Sequence, residues 1–266
     1  MNSIGSDMTS MMTRIDLNSD MGEWDTPEGL VTDAQMMSLI TSVNIACGGH
    51  AGTPDLMRRT ARRAAQCGVA IGAHPGLPDP KYFGRRERSL SPQEVESLVV
   101  DQVHTLAGVL APDRLTLAHV KPHGALYNMA AKHLDIAQAI VKAVQAVDPK
   151  LSLYALAGSA LIKAAHAAGL SVVNEAFADR AYRADGSLIS RSEKGAVLEN
   201  EEDVRRQLRQ LMKGHVITNE GTSVPIQADS ICIHTDTPQA FTLAQLIRQE
   251  LESAGIRITA VRNEPV

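Results

Sequence analysis

Residues 43–74, VNIACGGHAGTPDLMRRTARRAAQCGVAIGAH, read as one complete strand–helix–strand unit. Residues 43–46 and 69–73 are short, continuous apolar and β-branched runs, the pattern of strands buried on both faces. Between them Pro54–Cys67 is set up as a helix. Thr53 stands at the N-cap, Pro54 at the first helical position, and Gly68 follows where a left-handed cap is preferred. The pairs Arg58-Arg59 and Arg62-Arg63 recur at helical spacing and mark a solvated face. Two strands joined by such a helix run parallel in one sheet.

The same unit repeats along the chain. Further strands are expected at 14–17, 115–120, 151–156, 171–174, 231–234 and 257–261. Helices are expected at 91–110, 130–147, 158–168, 201–213 and 238–254. The first of these opens on Ser91-Pro92-Gln93-Glu94, a capping box. Residues 218–227 depart from the alternation, because Asn219-Glu220-Gly221 between apolar flanks signals a hairpin. About eight strands in βα alternation predict an α/β fold of one domain, 14–266: a TIM-like (β/α) barrel, irregular, with seven or eight strands. Residues 1–13 are expected to be a disordered lead or an over-extended start, with Met11 or Met12 as alternative first residues. They have neither a basic n-region nor an apolar h-region. No Gly-x-Gly-x-x-Gly or Gly-x-x-x-x-Gly-Lys-Ser/Thr loop follows any strand.

Composition narrows the function. The 266 residues are 44% hydrophobic and 21% charged, with 26 basic residues against 30 acidic ones. That is enough apolar content for a sizeable core, and too little positive charge for sequence-blind nucleic-acid binding. No apolar run reaches the length of a membrane span. Cys47, Cys67 and Cys232 are odd in number and widely spaced, so they are expected as buried thiols of a cytoplasmic protein.

In a parallel barrel, chemistry gathers at the C-terminal ends of the strands. Those ends carry Asp16, Asn18, Asp20 and Glu23, then Asn44 and His50, then His74. His119, Lys121 and His123 follow, then Glu175, Asp179 and Arg180, and finally His234-Thr235-Asp236. Five of the nine histidines fall there. Of the eight aromatics, Trp24, Tyr82, Phe83, Tyr127, Phe177 and Tyr182 lie in or beside these loops, which suggests a pocket lined by rings. Asp20, His74 and His123, with Asp16 and His50 in reserve, have the donor types to hold a divalent metal with open positions. Hydrogen bonding in a metal-free pocket is the other reading of the same residues. Lys121 shares a strand face with His119 and His123, and an inward lysine calls for a carboxylate partner such as Asp16 or Glu175. Arg180 and Arg191 are suited to an anionic substrate. The run Arg85-Arg86-Glu87-Arg88 reads as a lid or a contact between subunits.

Five strings, in order, resemble the LamB/YcsF family: residues 16–23 (DLNSDMGE), 44–52 (NIACGGHAG), 72–76 (GAHPG), 119–128 (HVKPHGALYN) and 175–180 (EAFADR). The resemblance runs from about Ile15 to Ala260. It implies a barrel related to polysaccharide and carbohydrate deacetylases. It also implies an enzyme that opens the lactam of 5-oxo-L-proline to L-glutamate, with ATP and Mg as co-substrate. In that family the chain acts as one component of a 5-oxoprolinase beside subunits B and C; whether it also forms a homo-oligomer stays open. With this reading, Asp16, Asp20, Lys121 and His123 are expected to be catalytic. Asp16 would be the general base, and Lys121 would stabilise oxyanion or phosphoryl charge. Asn18, Asn44, His50, Tyr127, Glu175 and Arg180 are expected to bind substrate. A stand-alone metal-dependent deacetylase or amidohydrolase, or a non-catalytic substrate-binding subunit, are the alternatives.

Overall fold

The computed structural model describes residues 12–191, 193–234 and 239–261. The expected N-terminal lead lies, as far as residue 11, outside the described residues. So do Thr235, Asp236 and the expected start of the last helix at 238. The chain alternates strands and helices: β1 (Arg14–Met21), α1 (Pro27–Met36), β2 (Ser42–Ala46), α2 (Pro54–Cys67), β3 (Ala70–His74), α3 (Pro92–Leu110), β4 (His119–Val120), α4 (Gly124–Lys132), α5 (Leu134–Val147), β5 (Ser152–Leu156), α6 (Ala160–Ala167) and β6 (Val172–Phe177). Then come α7 (Glu201–Leu211), the hairpin β7 (His215–Ile217) and β8 (Ser223–Pro225), β9 (Ser230–Cys232), α8 (Ala240–Ser253) and β10 (Arg257–Ile258).

Seven parallel strands close a ring in the order β1-β2-β3-β4-β5-β6-β9, because β9 pairs with β6 on one side and with β1 on the other. The choice between seven and eight strands is therefore settled at seven. The expected eighth strand is β10, two residues long, which pairs only with Arg14 and Ile15 at the start of β1 and stays outside the ring. β1 is the longest strand described, and its last three residues pair with β2 beyond the stretch that meets β9. That reach carries Asp20 to the mouth while Asp16 remains at the base.

Helix boundaries follow local chemistry. The Thr53 side chain caps Leu56 N, Gly68 closes α2 at φ +69°, and Ser91 with Glu94 forms the capping box. The arginine face of α2 is solvated, with Arg59 on Asp25 and Arg62 on Asp113. Three expectations need correction. α1 was not anticipated. The helix expected at 130–147 is two helices, parted at His133, whose extended backbone begins α5. Cys47 and Cys232 are buried, but Cys67 is exposed at the end of α2.

Aliphatic and alanine side chains fill the space between the barrel and its helices. A second cluster, including Tyr127, Phe177, Tyr182, Leu211, Val216 and Ile226, packs the long loop after β6 and the hairpin onto the mouth. No helix among the described residues is long and apolar enough to cross a membrane.

Candidate active site

The interior of this barrel is polar, and β1 explains why. Asp16, Asn18 and Asp20 alternate along one face of the strand, so they stack in three levels inside the ring. At the base, Asp16 accepts hydrogen bonds from Ser230 (2.5 Å), Ser42 (2.6 Å), Thr41 (2.7 Å) and Tyr154 (3.2 Å). Burial pushes its carboxyl up, and the four hydroxyls pull the other way. Asp16 lies below the cavity and does not line it. The general-base and reserve-ligand roles expected of it are therefore out of its reach.

One level higher, the amides of Asn18 and Asn44 satisfy one another and their neighbours. Asn44 Nδ2 donates to Asn18 Oδ1 and Asp20 Oδ1, both at 2.8 Å. Asn18 Nδ2 donates to Glu175 Oε1 and Ser230 Oγ, also at 2.8 Å. His119 Nε2 meets Asn44 Oδ1 at 2.7 Å and is its donor, because the Asn44 amide nitrogen is already committed. Asn18, Asn44, Glu175 and His50, expected to bind substrate, thus stand behind the cavity wall. Tyr127 and Arg180 line it.

Lys121 ties the levels together. Its ammonium lies 2.8 Å from Glu175, 3.0 Å from Asp20, 3.1 Å from Asn18 Oδ1 and 3.1 Å from Cys232 Sγ. Burial opposes its charge, but Asp20 leads the groups that carry its pKa well above the usual lysine value. Conversely, against the push of burial, His74 and Lys121 hold the Asp20 carboxyl well below the carboxylate range. This is a charged pair facing a cavity of about 610 Å³.

Beside it sits a histidine group whose tautomers the backbone dictates. His74 Nδ1 lies 2.7 Å from the Lys121 carbonyl and His123 Nε2 lies 2.9 Å from the Phe83 carbonyl. A carbonyl only accepts, so those nitrogens carry the hydrogens. The other nitrogens, His74 Nε2 and His123 Nδ1, are 2.9 Å apart, with Asp20 Oδ2 3.2 Å from His74 Nε2. Three lone-pair-bearing atoms converge there, and a proton or a cation must stand between them. His50 stacks face to face on His123 at 3.6 Å and meets Glu23 through Nε2 at 3.1 Å. Burial first, then His74, drives the His50 ring to about 2. Burial first, then His50, drives His123 well below the ordinary histidine value. Neutral imidazoles are the form that binds a metal. Ligand atoms of Glu23, His50, His74 and His123 all lie within 4.8 Å of one another. The donor set and the converging lone pairs fit a divalent cation. Of the expected ligands this group contains His74 and His123 and the reserve residue His50; Asp20 lies beside it, against His74, and Glu23 is new to the set. Glu23 was quoted in the first motif but given no role. Gly22, at φ +70°, turns the chain just past β1 and makes its approach possible.

Glycine also explains how tightly the mouth closes. At Gly84 (φ +61°) a Cβ would lie 2.8 Å from His50 Cβ and 3.2 Å from His123 Cδ2. The Phe83 ring beside it stacks with the half-exposed Trp24 at 5.0 Å. On the far wall, Tyr127 Oη donates to Glu175 at 2.7 Å. Arg180 donates to the carbonyls of Ala196 (3.2 Å) and Ile189 (2.5 Å), and burial followed by repulsion from Arg191 lowers it to about 10. His234 Nδ1 lies 2.7 Å from Asp179 Oδ2.

A closed parallel barrel with its polar groups gathered at the strand C-termini defines a TIM-like (β/α)-barrel protein. A family 4 carbohydrate esterase from Streptomyces lividans shares that fold, with a TM-score of 0.50 and 11% identity over 95% of this chain and 94% of that one. Within this class the chain belongs to the LamB/YcsF family, whose sequence profile matches residues 15–265. It is 47% identical over 254 residues to the A subunit of 5-oxoprolinase from Bacillus subtilis (strain 168), covering 95% of this chain and 99% of that one. It is 49% identical over 251 residues to the A subunit of 5-oxoprolinase from Tolumonas auensis, covering 94% and 100%. Its structure resembles the lactam utilization protein from Thermus thermophilus, with a TM-score of 0.86 and 42% identity over 94% of this chain and 100% of that one.

Proposed function

We propose that this chain is the A component of an ATP-dependent 5-oxoprolinase. With partner subunits B and C, in the cytoplasm, it opens the lactam of 5-oxo-L-proline to L-glutamate at the expense of ATP, supplied with Mg. Full-length relatives that bear this enzyme's name support the assignment. The observation that carries it is the meeting, at one cavity wall, of the His74–His123–Asp20 cluster with Lys121, which Glu175 holds from behind.

A lactam is an unstrained amide, and its opening needs an activated water and charge stabilisation on the carbonyl oxygen. Glu23, His50, His74 and His123, with Asp20 beside them, would hold a divalent cation, which supplies Lewis acidity when bound. Asp20, the carboxylate at the cavity wall, orients the water and takes its proton, the role the sequence assigned to Asp16. Lys121, held in place by Asp20 and Glu175, offsets charge developing on the carbonyl or a phosphoryl oxygen. Arg180 provides the cation for the substrate carboxylate.

The test is glutamate release from 5-oxoproline by this chain alone and by the mixture with its B and C partners, each with and without ATP. Glutamate only in the complete mixture with ATP supports the proposal. ATP-independent, chelator-sensitive amide cleavage by the chain alone would indicate a deacetylase-type hydrolase instead. Binding of 5-oxoproline, with mixture activity indifferent to changes in the cavity, would reduce the chain to a substrate-presenting role.

A further inference from the structure

The cavity is also lined by a second histidine centre, carried by other strands. His234 follows β9 and Asp179 follows β6, adjacent strands that lie two to three places around the ring from β3 and β4, which supply His74 and His123. Asp179 Oδ2 stands 2.7 Å from His234 Nδ1. The carboxylate accepts, so Nδ1 carries the hydrogen and Nε2 is the nitrogen left for exchange. Among the described residues Nε2 has no hydrogen-bond partner, and the ring lines the same cavity as Asp20, His74 and Lys121. Phe177 fixes its plane, stacked 5.5 Å away at 14°, and the same Phe177 ring lies 5.8 Å from Lys121 Nζ. A carboxylate-oriented imidazole with one nitrogen open to a reaction cavity is the arrangement of a proton carrier.

We propose that His234, positioned by Asp179, donates the proton that the lactam nitrogen needs as its bond to the carbonyl carbon breaks. The inference rests on the lactam-opening reading above. In the step, the hydroxyl of water bonds to the carbonyl carbon, and its other proton passes by way of the carboxylate side of the cavity to His234 Nε2. The C–N bond breaks, its electron pair passes to nitrogen, and nitrogen takes that proton from His234 Nε2. His234 is left as it began, with its hydrogen on Nδ1 and Nε2 open. An amide nitrogen leaves far less readily than an ester oxygen, so it depends more on this donor. His234 is thus the catalytic residue and Asp179 a positioning residue.

The experiment compares wild type, His234→Asn and Asp179→Asn in the complete three-subunit mixture with ATP, using 5-oxoproline and its lactone counterpart, in which oxygen replaces the ring nitrogen. For His234→Asn, kcat on the lactam should fall about 10²–10⁴-fold with KM nearly unchanged, and the loss on the lactone should be at least tenfold smaller. Asp179→Asn should show the same split between substrates with a smaller loss, while both variants keep the wild-type circular dichroism. Wild-type kcat in His234→Asn, or equal losses on lactam and lactone, would overturn the inference and leave the 5-oxoprolinase reading standing. A wild-type mixture that makes no glutamate would remove that reading, and this inference with it.

Discussion

Asp16 and Asp20 are four residues apart on one strand face, yet their surroundings give them opposite roles. Asp16 is sealed by four hydroxyls, whereas Asp20 meets a lysine, an asparagine and a histidine at the edge of the cavity. Replacing Asp16 with Ala strips four hydroxyls, three of them on buried residues, of an acceptor. It should destabilise the fold by about 3–5 kcal/mol in urea unfolding, the range for breaking a buried charged network. Glu23→Gln should leave stability near wild type but lower retention of added Zn²⁺ at least tenfold in equilibrium dialysis. Unchanged retention would exclude Glu23 from the cation group. The buried neutral histidines also set an acid limit. Burial, then His74, holds His50 near 2, while burial, then Lys121, holds His119 near 3. Both values lie below the unfolded value near 6.5, so the unfolded state binds more protons and stability falls as pH falls. In chelator-treated protein these two rings together contribute a loss of roughly 3 kcal/mol per pH unit around pH 5. His119→Gln should halve that contribution, which urea unfolding at pH 7 and pH 5 would measure. At this scale most of the cavity's polar lining was legible, since Asp20, His74, Lys121 and His123 all sit at strand ends. The sequence did not expose Glu23, because the partners that give it meaning come from three other segments. Nor did it show that Asp16 belongs to the base, because alternation along a strand fixes the face but not the depth.

At the scale of elements, the strands were legible because continuous apolar runs have few other uses in a chain of this length. α1 was not, although Thr26-Pro27-Glu28 repeats the capping signal that announced α2. Met36 is its one buried residue, so no apolar stripe marks its length. The break between α4 and α5 was hidden too, since His133 is neither glycine nor proline, yet its backbone is extended. The mouth loop gives a test at this level. Gly84 and Gly68 both have positive φ, but a Cβ at Gly84 meets the histidines while one at Gly68 meets nothing within 4 Å. Gly68→Ala should cost about 1 kcal/mol of backbone strain and leave Zn²⁺ retention unchanged. Gly84→Ala should bear that strain and also lower Zn²⁺ retention. Equal retention in the two variants would show that the loop does not hold the histidine group.

At the scale of the whole molecule, the barrel class followed from βα alternation, but its closure depended on a detail of pairing. Whether seven or eight strands form the ring turns on β9 reaching β1 and on β10 being too short to intervene. That is a tertiary outcome which local sequence does not encode. The ring in turn brings groups from β1, β3, β4, β6 and β9 to one cavity, and the central claim is that these groups open the lactam within the assembled enzyme. The most direct measurement is glutamate formation from 5-oxoproline in the ATP-supplied three-subunit mixture, with this chain supplied as wild type, Lys121→Ala or His123→Ala. Folding of each variant would be verified by circular dichroism. The account predicts glutamate from the wild type and none above background from either variant. Wild-type turnover by both folded variants would contradict it and place the chemistry in the partner subunits.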